Sequence, residues 1–128
     1  MIDHIGFSVS DFAAAHRFYT AALAPIGIVP MIEVTPEQSG IGSHAGFGRD
    51  DKAFFWIGSD GDTVQGVHVA FTVATRAEVD AFYEAAIAAG GRDNGGPGLR
   101  PYYHPDYYGA FVRDADGNNI EAVCHAPA

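Results

Sequence analysis

The chain has 128 residues, 48% of them hydrophobic and 18% charged, which fits one domain, residues 1–128, with a sizeable core. Sixteen acidic residues against seven basic ones give a net charge of −9, which disfavours nucleic acid and anionic membrane surfaces as partners. No apolar run approaches the ~20 residues of a membrane span. The opening Met1-Ile2-Asp3-His4 lacks the basic-then-apolar pattern of a secretory leader. The single cysteine, Cys124, has no internal disulfide partner, and a reducing cytoplasmic location is expected.

A repeat organises the sequence. Shifting it by 64 positions lays Asp3-His4-Ile5-Gly6-Phe7-Ser8-Val9 on Val67-His68-Val69-Ala70-Phe71-Thr72-Val73. Ten of the 24 aligned pairs from His4 to Gly27 are identical, enough to read two related modules, about 1–60 and 65–124. The same shift pairs Phe47, Arg49 and Asp50 with Phe111, Arg113 and Asp114.

In chain order, residues 4–9 alternate, with Ile5, Phe7 and Val9 on one face and His4, Gly6 and Ser8 on the other, which predicts a strand. A helix over about 12–24 follows, carrying Phe12, Phe18, Tyr19 and Leu23 and stopping around Pro25 to Gly27. Three short strands are expected near 28–34, 44–48 and 53–58, with Phe54, Phe55 and Trp56 serving as core and cleft wall. The second module reopens with a strand at 67–73. A helix then begins at the capping pattern Thr75…Glu78 and stops at Gly90. Strands near 91–95, 108–113 and 118–124 complete it, the last two joined at Asp116-Gly117. The expected fold is α+β, two tandem βαβββ modules forming a curved mixed sheet around a central cleft.

The alternation turns His4 and His68 away from the helices and toward that cleft. Glu121 sits inside the otherwise apolar Ile120-Glu121-Ala122-Val123-Cys124 and needs a cation or several donors if it is buried. Two imidazoles and one carboxylate form the three-ligand set of many divalent metal sites, suited to iron, manganese, nickel or zinc. A hydrogen-bonded polar cluster is the alternative use of the same three residues.

The paired modules, the opening Ile2-Asp3-His4-Ile5-Gly6-Phe7 and the closing run Gly109 to Glu121 resemble the glyoxalase/bleomycin-resistance/extradiol-dioxygenase superfamily, the vicinal oxygen chelate proteins. The resemblance implies metal ligands on the first and last strand of each module, which His4, His68 and Glu121 match. The 64-residue shift places Ile57 at the fourth ligand position, where it cannot ligate. It also implies a small substrate with adjacent oxygens, such as a catechol, hydroxy-ketone or enediolate precursor, and a homodimer. A metal-free protein that sequesters an aromatic antibiotic is the alternative within the same family.

Residues 101–108, Pro101-Tyr102-Tyr103-His104-Pro105-Asp106-Tyr107-Tyr108, form the densest aromatic stretch and are expected to border the cleft. His104 is the candidate acid/base group there and Tyr103 a catalytic hydroxyl. Tyr102 and Tyr108, with Phe55 and Ile57 from the first module, are the candidate substrate contacts. Glu33 could replace the missing fourth ligand if the loop around Pro36 folds inward, and His16 is expected to face solvent. Cys124 and His125 point to opposite faces of a strand and cannot act as a pair. Asp114-Ala115-Asp116-Gly117-Asn118 fails as a calcium loop, because its glycine is misplaced and its twelfth position is His125.

Overall fold

The computed structural model describes all 128 residues. Strand β1 (Ile5–Ser8) leads to helix α1 (Phe12–Leu23), whose first turn is closed by Asp11 accepting a hydrogen bond from the Ala14 amide at 3.0 Å. A 3₁₀ turn, Ala24–Ile26, ends at Gly27, whose φ of 78° is the left-handed value that favours glycine. Strand β2 (Val29–Val34), the short helix α2 (Pro36–Ser39), β3 (His44–Arg49) and β4 (Lys52–Gly58) follow. Asp50 and Asp51, both at positive φ, make the two-residue turn between β3 and β4. These strands form one mixed sheet in the order β1-β4-β3-β2, with β1 parallel to β4 and the other pairs antiparallel.

The second half repeats the plan. Strand β5 (His68–Thr72) precedes α3 (Arg76–Ala88), whose N-terminus is a full capping box between Thr75 and Glu78. Strands β6 (Arg92–Asp93), β7 (Gly98–Leu99), β8 (Tyr108–Arg113) and β9 (Asn119–Cys124) complete a sheet ordered β5-β9-β8-β6, with β7 also paired to β8. The strand expected near 91–95 is therefore only two residues long. Gly95 at φ +136° breaks it, and the chain rejoins β8 at Gly98.

The two sheets do not enclose a hydrophobic core between their open faces. Helices α1 and α3 pack on each other, and one cluster takes side chains from both halves. Tyr19, Leu23, Phe47 and Phe55 from the first half join Phe71, Val79, Phe82 and Ile120 from the second. Phe55 and Phe71 meet edge-to-face at 5.4 Å between centroids, which ties the halves together. Each such ring, fully buried, contributes about 1.5–3 kcal/mol of hydrophobic stabilisation. The opposite face of each sheet carries no helix, and β1 and β5 lie at sheet edges.

Candidate functional site

Strand register decides which residues share an open face. In the second sheet Ala70, Glu121 and Phe111 stand in one row, with His68, Asn119 and Arg113 in the next. His68 reaches diagonally, and its Nε2 lies 2.9 Å from Glu121 Oε1. The Tyr107 hydroxyl donates to the other oxygen, Oε2. Glu121 is completely buried, whereas half of the His68 side chain is exposed. No arginine or lysine touches the carboxylate. Burial, followed by the hydrogen bond to Glu121, raises the Tyr107 phenol above its ordinary value, so it stays a donor.

Gly109 makes this arrangement possible. A Cβ there would stand 3.1 Å from Glu121 Oε2 and 3.2 Å from Tyr107 Cε1. Beyond Tyr107, His104 Nε2 lies 2.7 Å from His125 Nδ1, with the two rings stacked. His104 Nδ1 accepts the Asp106 amide at 3.1 Å.

The third candidate ligand, His4, is elsewhere. Its Nδ1 lies 2.7 Å from Asp3 Oδ1, an oxygen also held by Lys52 Nζ at 2.7 Å. The Lys52 and His4 contacts hold the Asp3 carboxyl below its ordinary range. His4 and His68 do line one groove of about 400 Å³ between the β1 and β5 edges, together with Ala70, Thr72, Arg49 and Phe54. No three His, Cys, Asp or Glu side chains in the chain stand close enough to hold an ion.

Several residues expected in the cleft lie on the other side of their sheets. Phe55 and Ile57 are buried in the shared core and cannot contact a ligand on the open face. Tyr108 also faces the helix: its hydroxyl donates to Asp80 on α3 at 2.7 Å, and the Arg76 guanidinium lies over its ring. The residue aimed at Glu121 is its neighbour Tyr107, because odd-numbered positions of this strand face outward. Tyr102 and Tyr103 pack against each other with tilted rings and are largely exposed, with Tyr103 next packing against Tyr107.

The fourth ligand position also moves. Ala70 pairs with Glu121, but Gly6, the repeat mate of Ala70, pairs with Trp56. The counterpart of Glu121 is thus Trp56, one residue earlier than the constant shift gives. The offset is already present on β3, where His44 and Gly46 stand against Gly58 and Trp56 as Gly109 and Phe111 stand against Val123 and Glu121. Glu33 does not replace the ligand, since it pairs with His16 at 2.6 Å on the α1 side of β2. His16 itself is half-buried against Phe47 rather than solvent-facing.

No curated protein matches the chain. The sequence matches the family model for the Glyoxalase/Bleomycin resistance protein/Dioxygenase superfamily over residues 1–122. Among solved structures, a glyoxalase/bleomycin resistance protein from Albidiferax ferrireducens T118 is 28% identical, covers 99% of both chains and has a TM-score of 0.78. A glyoxalase/bleomycin resistance protein/dioxygenase family enzyme from Burkholderia phytofirmans PsJN is 20% identical over 97% of this chain and 98% of that one, with a TM-score of 0.69. Glyoxalase I from Zea mays is 17% identical over 99% of this chain but only 45% of its own length, with a TM-score of 0.72. The match runs through both modules and their closing strand, and the chain belongs to the glyoxalase/bleomycin resistance protein/dioxygenase superfamily.

Proposed function

We propose that the chain is a metal-dependent vicinal-oxygen-chelate enzyme in which His68 and Glu121 supply two ligands of one divalent ion. The observation that carries this reading is the buried Glu121 carboxylate with an imidazole nitrogen 2.9 Å from its oxygen. Two ligand atoms at right angles, each about 2.1 Å from a shared ion, stand about 3 Å apart, so this pair fits adjacent coordination positions. A carboxylate removed from water without an arginine or lysine beside it also calls for a cation. His4, which borders the same groove as His68, is the proposed third ligand.

A bound iron, manganese, nickel or zinc ion would supply Lewis acidity toward the adjacent oxygens of a small substrate. The chain's own residues do the rest. Tyr107 orients Glu121 by donating to its second oxygen, leaving Oε1 directed at His68. Phe111 and Ala70 flank the carboxylate in its row. His104 and Tyr103, whose rings pack against Tyr107, are the proposed proton-transfer groups at the edge of the site.

A homodimer in the cytoplasm is part of this proposal. Ile2, Ile5 and Ile32 are exposed and β1 and β5 have free edges, while the one thiol is buried. No helix is long and apolar enough to cross a membrane. A second reading, metal-free capture of an aromatic compound, is favoured by one fact: both Glu121 oxygens already have partners within the chain.

Elemental analysis of protein purified without chelators separates the two. The enzyme reading expects about one divalent ion per chain, lost in Glu121→Gln and His68→Ala and weakened in His4→Ala. Wild-type protein that is folded, metal-free and unable to take up any of the four ions overturns it.

A further inference from the structure

The second sheet holds a cation on the same face as Glu121. The ladder of β7 with β8 pairs Gly98 with Gly109 and Leu99 with Tyr108, and the Arg100 amide continues it by donating to the Tyr107 carbonyl at 2.7 Å. Residues opposite each other in a ladder share a face, so the Arg100 side chain stands beside Tyr107. From there it runs back along the strands. The guanidinium carbon lies over the Phe111 ring, 5.2 Å from its centroid, and a Cβ on Gly98 would meet Nη1 at 3.3 Å. The Phe111 ring also neighbours His68, with 6.2 Å between centroids. Imidazole and guanidinium therefore border one aromatic side chain.

This cation is held but not neutralised. Lys52 and Arg76 face carboxylates, those of Asp3 and Asp106. Arg100 has neutral acceptors instead: Nη1 donates to the Gly98 carbonyl at 2.9 Å and Nη2 to the Gly96 carbonyl at 2.8 Å. Two of the five guanidinium N–H groups are spent on fixing the fork, and three remain. Gly95 makes room for it, since a Cβ there would come within 3.0 Å of Nη2 and 3.1 Å of Phe111 Cδ1. In a chain with sixteen acidic residues and seven basic ones, an immobilised guanidinium without a carboxylate beside it suits an anion from outside.

Strands β7 and β9 lie on either side of β8, which sets Arg100 and Glu121 about 10 Å apart across the sheet. One substituted benzene ring bridges that span. We propose that Arg100 is the specificity-determining residue of the site: the adjacent oxygens of the substrate turn toward His68 and Glu121, and a carboxylate at the opposite end of its ring accepts the remaining N–H groups of Arg100. This role rests on the chelate reading of His68 and Glu121 and narrows its substrate to a carboxylate with an aromatic body.

Protein loaded with whichever of the four divalent ions it takes up is titrated, without oxygen, by calorimetry. The probes are 3,4-dihydroxybenzoate and 3,4-dihydroxybenzamide, which keeps both hydroxyls and the shape but not the charge. The carboxylate is expected to bind about tenfold more tightly, a preference that falls with added salt. In Arg100→Gln the two probes are expected to bind equally, the amide as tightly as in wild type, which also shows that the site is folded. Arg100→Lys, which keeps the charge but not the fork, is expected to retain part of the preference. Arg100→Met, which keeps an apolar stem on Phe111, repeats the test should Arg100→Gln not fold. Equal affinities in wild type, or a preference that persists in the uncharged variant, overturn the role of Arg100 and leave the chelate reading standing. A guanidinium that only staples its own loop gives one of these two results. Protein that takes up none of the four ions, or binds the amide no better loaded than metal-free, overturns the chelate reading and this role with it.

Discussion

Glu121 shows how one side chain depends on the absence of another. Its carboxylate is buried on a sheet face with no helix above it, and it is held there by His68 and Tyr107. The Tyr107 contact needs the space left at Gly109. A methyl group 3.1 Å from Glu121 Oε2 and 3.2 Å from Tyr107 Cε1 forces one of the two side chains to give way. Gly109→Ala is therefore expected to destabilise the protein by about 1–3 kcal/mol, measured by urea unfolding. The same variant should bring the Tyr107 phenol down toward its ordinary ionisation range, visible in an ultraviolet titration. A variant as stable as wild type would mean that the strand can shift and absorb the methyl group.

At the level of elements, the β3–β4 hairpin sets what the first sheet displays. Asp50 and Asp51 take the positive-φ turn, and the ladder slips by one residue between Phe47 and Gly48. Trp56, paired with Gly46, stands on the open face and Ile57 in the core. Gly48 allows the slip, since a Cβ there would fall 1.8 Å from the Lys52 carbonyl oxygen, a clash that no side-chain rotation relieves. Gly48→Ala is expected to cost about 3 kcal/mol and to lower the melting temperature by roughly 10 °C. Gly96→Ala, where φ is not positive and a Cβ would meet nothing within 4 Å, is the control that carries the added methyl without the clash. The helices depend less on distant contacts: Asp11 and Thr75 cap them locally, and their boundaries follow from the neighbouring sequence.

Across the whole molecule, one buried phenol links the two halves and makes stability depend on pH. Tyr19 on α1 donates to Asp114, beyond β8, at 2.5 Å, and Asp114 is further tied to Asn118. Burial, with the nearby Asp114 charge second, raises the Tyr19 phenol far above its ordinary value. Above about pH 10 the unfolded chain loses this proton while the folded chain keeps it. Stability is therefore full below that pH and falls above it, by up to about 1.4 kcal/mol per pH unit from this group. Urea midpoints across the alkaline range should show the decline, and Tyr19→Phe should flatten it. The elements, the doubled plan and the polar residues on the first and last strands are legible in the sequence, because alternation, capping and helical spacing are local properties of the chain. Pairing is not local. The inward positions of Phe55, Ile57 and Tyr108, the aim of Tyr107 at Glu121 and the meeting of His44 with Asp60 depend on register between strands distant in sequence. A one-residue slip reverses the face of every side chain that follows, so only the assembled sheets decide which groups meet.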